Sequence, residues 1–175
     1  EGILTGHLDH PNIVPVYRLT ETEEEGTAIV MKRIRGRSFH SILVETRSFA
    51  DVDAREAHLR EMLDILTDVC RAVEFAHSRS VLHRDIKPQN VMVGGFGDVY
   101  LIDWGLGVYI GQPEAPGDFP RPSHEPTTVG TPAYMAPEMV GGDPEQLSER
   151  TDQFMLGAIL HTIMTGKPPH EGRTV

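Results

Sequence analysis

The chain is 175 residues long, carries a formal net charge of −10 and contains one cysteine, Cys70. That length suffices for one domain with a buried core, and the acidic balance argues against nucleic acid and against contact between this segment and a membrane. A lone cysteine excludes an internal disulfide and suits a reducing, cytoplasmic compartment.

Residues 1–9 have helical character, and the pattern stops at His10-Pro11-Asn12 because proline disfavours helix in the residue before it. Ile13–Leu19 and Thr27–Ile34 are predicted strands, joined by an acidic hairpin turn over Glu21–Gly26. Gly36-Arg37-Ser38 is predicted to be a break before a short helix. Leu59, Met62, Leu66, Val69, Val73 and Ala76 recur at steps of three and four, which predicts a core helix over Ala57–His77, with Cys70 packed into the core beside them. Val81-Leu82, Val91–Val93 and Val99–Ile102 are predicted short buried strands. Residues 111–132 are rich in Pro, Gly, Ser and Thr and hold little that builds a core, so they are expected to be a functional or a disordered loop. A second apolar helix, Asp152–Thr165, is closed by Gly166 and Pro168-Pro169. No apolar run approaches the roughly 20 residues that cross a bilayer. The chain lacks a starting methionine, and both ends read as cuts.

The chemistry sits in His83-Arg84-Asp85-Ile86-Lys87-Pro88-Gln89-Asn90 and, thirteen residues after Asn90, in Asp103-Trp104-Gly105. Phosphoryl transfer needs a carboxylate for the attacking hydroxyl, a cation beside the moving phosphoryl and oxygen ligands for a divalent metal. Asp85, Lys87, Asn90 and Asp103 supply these residue types. The nine histidines show no metal-ligand spacing.

These motifs resemble the H-R-D-x-K-x-x-N and D-F-G motifs of the eukaryotic-type (Hanks-type) serine/threonine protein kinases. Gly130-Thr131-Pro132-Ala133-Tyr134-Met135-Ala136-Pro137-Glu138 resembles the family's G-T-x-x-Y-x-A-P-E segment, and Asp152–Gly157 its D-x-x-x-x-G helix start. Trp104 departs from the usual Phe; together with residues 91–100 it is similar to bacterial members. The resemblance implies an α+β, bilobal, truncated fold. Residues 1–34 would be a remnant of the small lobe and hinge, with the end of one helix and two or three strands. Residues 35–175 would be most of a mainly helical large lobe.

It implies ATP and Mg²⁺ (or Mn²⁺) as cofactors and Ser/Thr hydroxyls of proteins as acceptors, with self-association for autophosphorylation. Asp85 would receive the hydroxyl proton, Lys87 would contact phosphate, and Asn90 and Asp103 would hold the metal. Glu1 would be the helix glutamate that pairs with an ATP-anchoring lysine lying upstream. Met31, Lys32, Ile34 and Met92 would surround adenine, with the Lys32 side chain pointing outward, and Ser38 would face the ribose. Thr131 would bond both Asp85 and Lys87. His83 and Asp152 would be structural. Arg84 would await an anion, a phosphate on Thr127 first and on Thr128 or Ser123 second. Glu138 would lack its downstream arginine anchor, and residues 1–175 alone would be inactive and poorly folded. Two alternatives stay open: a pseudokinase acting as a binding module, and a small-molecule phosphotransferase, the latter disfavoured by Ala136-Pro137-Glu138. Any membrane anchor would lie in a segment outside these residues.

Overall fold

The computed structural model describes residues 2–22, 26–45, 51–112, 119–122 and 128–170. Helix α1 (Gly2–Gly6) precedes an antiparallel pair, β1 (Val16–Thr22) and β2 (Gly26–Met31); β1 begins and ends later than its predicted strand, and β2 stops short of the predicted Ile34. Pro11 and Pro15 account for the later start, since neither can donate to a strand ladder. Ile13 forms only a single parallel bridge, to Leu101. The tip of the β1–β2 hairpin, residues 23–25, lies outside the described residues.

The predicted break at Gly36–Ser38 is instead a strand, β3, paired with β5 (Val91–Gly94), which in turn pairs with β6 (Val99–Leu101). Local propensity gives no hint of it. The pairing is possible because a Cβ at Gly36 would lie 2.0 Å from the carbonyl oxygen of Val93. Helix α2 (Phe39–Glu45) follows directly.

Helix α3 (Val52–Ser78) is longer than its periodic stretch because Asp51 caps it, accepting from the N–H of Asp53. Met62, Ile65, Leu66, Val69, Ala72, Val73 and Ala76 are its buried face. The larger of these side chains, Met62, Ile65, Leu66, Val69 and Val73, contribute about 1.5–3 kcal/mol each on full burial. Cys70 falls off that stripe and is exposed, so the expected core packing is corrected. Its thiol nonetheless faces a groove with Val73 and Leu156, where burial, with Glu74 adding to it, pushes it up.

Strand β4 (Val81–Leu82) pairs with β7 (Val108–Tyr109), and a 3₁₀ turn over Pro88–Asn90 leads into β5. The long loop is less bare than expected. Phe119 stacks on Tyr109 at 5.3 Å and meets His7 edge-on at 4.8 Å. Helix α4 (Pro137–Val140) precedes α5 (Glu149–Thr165), which packs on α3. Gly166 ends α5 at φ 75°, a left-handed conformation that favours glycine.

One apolar core joins Leu4 and Leu8 of the first segment to α3, β6 and α5. The link is also polar. Asn12 donates from Nδ2 to the Val99 carbonyl, Leu101 N–H donates to the Asn12 carbonyl at 2.8 Å, and His10 stacks on Phe75. Among the described residues no helix is long and apolar enough to cross a membrane.

Candidate active site

The site is built on the loop that joins β4 to β5 and on the segment that leaves β6. Asp85 is buried, and every oxygen of its carboxylate has a partner. Thr131 Oγ1 donates to Oδ1 at 2.7 Å; Lys87 Nζ donates to Oδ2 at 2.6 Å and Asn90 Nδ2 at 3.0 Å. Lys87 Nζ also donates to Thr131 Oγ1 at 2.7 Å. Thr131 therefore bridges the aspartate and the lysine from 44 residues away along the chain.

Asn90 is held in place by a second bond, Nδ2 to the Asp85 carbonyl at 2.9 Å. With the amide nitrogen committed, its Oδ1 has no partner among the described residues and fits an oxygen ligand for a hard cation. Ile102 N–H donates to the Asn90 carbonyl at 2.9 Å, which extends the β5–β6 pairing and sets Asp103 beside Asn90. Asp103 is exposed and adopts φ 63°, an uncommon backbone state for a residue other than glycine. The donor set of one carboxylate and one amide oxygen suits Mg²⁺ or Mn²⁺.

His83 and Asp152 lie behind this loop. Burial lowers His83 below the usual imidazole range, although Asp152 and the Ile102 carbonyl pull the other way. Its Nε2–H donates to the Ile102 carbonyl at 3.2 Å, while Nδ1 accepts the Asp85 N–H at 3.2 Å, a pattern that requires the neutral ring. Asp152, fully buried in the first turn of α5, accepts the N–H groups of His83 and Arg84, each at 2.9 Å. His77 completes the set, Nε2 to Asp152 Oδ2 at 2.8 Å. Sequence reasoning missed His77; its place next to the last residue of α3, five residues before Leu82, was the available signal.

Arg84 also has positive φ, 65°. Its Nε donates to the Leu106 carbonyl at 2.6 Å, and burial lowers its guanidinium below the ordinary arginine range. It lines a cleft of about 210 Å³ with Gly107, Arg121, Val129, Met139 and Leu147. This cleft lies along the segment after Gly105, not over Asp103. Thr128 is exposed and donates to the Val140 carbonyl. Thr127 and Ser123 lie outside the described residues, as does Glu1.

Glu138 is not left alone: Thr151 Oγ1 donates to its Oε1 at 2.7 Å. This hydroxyl is a neutral partner and does not replace the arginine anchor that the sequence reading expects to be missing. Trp104 is buried against the His83 ring at 4.5 Å, and its indole N–H finds no acceptor among the described residues.

The adenine-side candidates are spread along one sheet row and the connector before it. Ser38 lies opposite Met92, and its hydroxyl accepts the Ser41 N–H at 3.2 Å, capping α2. Met31 is 39% exposed at the end of β2. The Lys32 side chain does not point outward as expected: Nζ donates to Tyr100 Oη and lies over the Tyr100 ring. Tyr100, placed opposite Met92, offers both an acceptor and a π face, which a free lysine would leave for water.

A protein kinase domain model matches residues 1–175. The chain belongs to the protein kinase domain family. Among its relatives, the serine/threonine-protein kinase PknD of Protochlamydia amoebophila is 32% identical over 100% of this chain and 19% of that protein. The PknD of Chlamydia trachomatis serovar D is 35% identical over 94% of this chain and 19% of that protein. The probable serine/threonine-protein kinase PknB of Corynebacterium glutamicum is 31% identical over 97% of this chain and 24% of that protein. The chain thus spans about a fifth to a quarter of the length of these bacterial relatives. Family membership fits the small sheets and helices observed, and it carries ATP and a divalent metal as the family's general requirements.

Proposed function

We propose that this chain carries the catalytic loop of a serine/threonine protein kinase that transfers the terminal phosphoryl group of Mg-ATP to protein hydroxyls. The observation that carries the reading is the Thr131 bridge. One hydroxyl ties the segment that would floor a peptide site to both the candidate base and the candidate phosphate cation. A binding module would have no need of that linkage, and a small-molecule phosphotransferase would have no need of the Gly130–Glu138 segment.

Mg-ATP, when bound, supplies the phosphoryl group and the charge that neutralises it. Asp85 orients the incoming Ser or Thr hydroxyl and takes its proton as the new P–O bond forms and ADP leaves. Three donors fix the carboxylate, so little reorganisation is needed at the moment of transfer. Lys87 places positive charge beside Asp85, where the migrating phosphoryl passes. Asn90 Oδ1 and Asp103 are the metal ligands. The backbone of Lys32 and Ile34 meets adenine, Met31 and Met92 line its faces, and Ser38 lies toward the ribose. Glu1 pairs with a lysine on another strand of the small lobe.

Arg84 is the anchor for a regulatory phosphate on Thr127, with Thr128 and Ser123 as lesser candidates; the lowered guanidinium beside a cleft supports this. An alanine variant at all three hydroxyls of the full-length protein is expected to lose phosphorylation-dependent activation, and full activity in it would refute the switch.

The central test uses the full-length protein. Asp85→Asn is expected to lower phosphorylation about a hundredfold or more while Mg-ATP affinity holds, and Asp103→Asn to weaken Mg-nucleotide binding as well. Near-normal turnover by the Asp85 variant, or mainly phosphotyrosine in the product, would overturn the reading.

A further inference from the structure

Residues 32–35 cross from β2 to β3 without regular structure, yet Lys32 is tied at both ends. Its N–H donates to the Pro15 carbonyl at 2.9 Å. Its Nζ donates to Tyr100 Oη at 2.5 Å and lies 4.5 Å from the centre of the Tyr100 ring. Tyr100 itself is buried at 7% exposure, in the middle of β6.

The register gives that contact its meaning. Ser38 lies opposite Met92 and Met92 opposite Tyr100, and directly opposed residues of antiparallel strands share one face of a sheet. Ser38, Met92 and Tyr100 therefore form one row across β3, β5 and β6. Two members of that row are the residues assigned to ribose and adenine above. The third holds the side chain of the connector whose backbone is assigned to the adenine edge. Among the described residues, the N–H and C=O of Ile34, two positions on, have no backbone partner. Tyr100 also stands three residues before Asp103 on the same continuous segment.

We propose that Lys32 and Tyr100 are a positioning pair that fixes the height of the nucleobase slot, holding the connector backbone at a set distance above the Met92 row. The inference rests on the kinase reading and adds to it a function for two side chains that carry no transfer chemistry. A lysine on an exposed connector has every entropic reason to extend into water. Here a hydrogen bond and a cation–π contact hold it down. The hydrogen bond to Tyr100 also raises the ammonium above its ordinary range. Because Oη and the ring act on one Nζ, removing either partner frees the same stretch of backbone. The substrate peptide and the proton-accepting carboxylate lie elsewhere, so the effect falls on nucleotide binding and spares the transfer step.

The test uses Tyr100→Phe, Lys32→Met and the double variant in the full-length protein, with steady-state kinetics, direct Mg-ATP binding and thermal melting. Expected is a KM for ATP raised about threefold to tenfold, with kcat within about twofold of wild type. The double variant is expected to be no worse than Lys32→Met alone, since the two residues act as one unit. Unchanged KM in all three variants would overturn the pair while leaving the kinase reading intact. So would a fall in kcat that merely follows a fall in melting temperature, because that is the mark of a structural strap. A wild-type protein that neither binds Mg-ATP nor transfers phosphate would refute the kinase reading and the pair with it.

Discussion

Replacing Asp152 tests the most heavily connected side chain behind the catalytic loop. The residue is fully buried and accepts three hydrogen bonds, from His83 N–H, Arg84 N–H and His77 Nε2. Asp152→Ala leaves two buried backbone donors unsatisfied, at about 1–3 kcal/mol each, so the expected loss is about 2–6 kcal/mol. His77 contributes less, because its side chain is 9% exposed and can turn toward water. That loss is a large share of the roughly 5–15 kcal/mol that keeps a domain folded. Arg84 makes the consequence local as well. Its φ of 65° costs about 1–3 kcal/mol, and the bond from its N–H to Asp152 is what holds it there. Released, Arg84 relaxes and carries Asp85 with it. Asp152→Asn retains one acceptor oxygen and is expected to lose about half as much. The assay is urea denaturation of each variant, with amide hydrogen exchange read at residues 83 and 84. A loss below about 1 kcal/mol for Asp152→Ala, with unchanged protection at those two amides, would refute the reasoning.

Thr131→Val keeps the shape of the side chain and removes the hydroxyl bridge; kcat is expected to fall about tenfold or more with Mg-ATP affinity unchanged, while Thr131→Ser stays near wild type. Unaltered kcat in the valine variant would dismiss the bridge. His83 is held below the ordinary imidazole value by burial, so on acidification the unfolded chain binds the proton first. Stability is therefore full above about pH 6.5 and falls below it, by at most about 1.4 kcal/mol per pH unit from this residue. His83→Asn is expected to flatten that slope between about pH 6.5 and 5.5, and an equal slope in the variant would argue against it. Cys70 is expected to react with a maleimide in the folded protein, but more slowly near neutral pH than a free thiol, since burial and Glu74 raise it. Labelling that appears only on unfolding would contradict its exposed position.

Much of the architecture is written locally. The buried stripe of α3 recurs every three or four residues from Met62 to Ala76, and that regularity is visible without knowing what it packs against. The loop residues Asp85, Asn90 and Asp103 are legible for a different reason: their types and order match a chemical task. Neither signal reaches features decided by a distant partner. Strand β3 exists because Val91–Gly94 lies alongside it, and three residues containing a glycine carry no propensity that says so. Cys70 sits one step off the stripe, close enough to look buried and far enough to face out. Lys32 looks like a surface cation because its acceptor is 68 residues away, and the Thr151 hydroxyl that reaches Glu138 is not foreseen because it belongs to another helix.

The same distinction explains how the site holds together. Asp85 is fixed from three directions: by Asn90 within its own loop, by Thr131 from the segment before α4, and by Asp152 from α5 through Arg84. The last two partners lie 46 and 68 residues from the residues they hold. Each tether comes from an element packed into the common core, so the position of the carboxylate depends on how α5 seats against α3 and not on the loop sequence alone. Two non-glycine residues of positive φ, Arg84 and Asp103, flank the chemistry, and Arg84 itself carries one of these ties. Backbone strain of that kind persists only where surrounding contacts over-determine it. A variant that loosens the α3–α5 contact without touching the loop should therefore release Arg84 and depress activity before the domain as a whole unfolds.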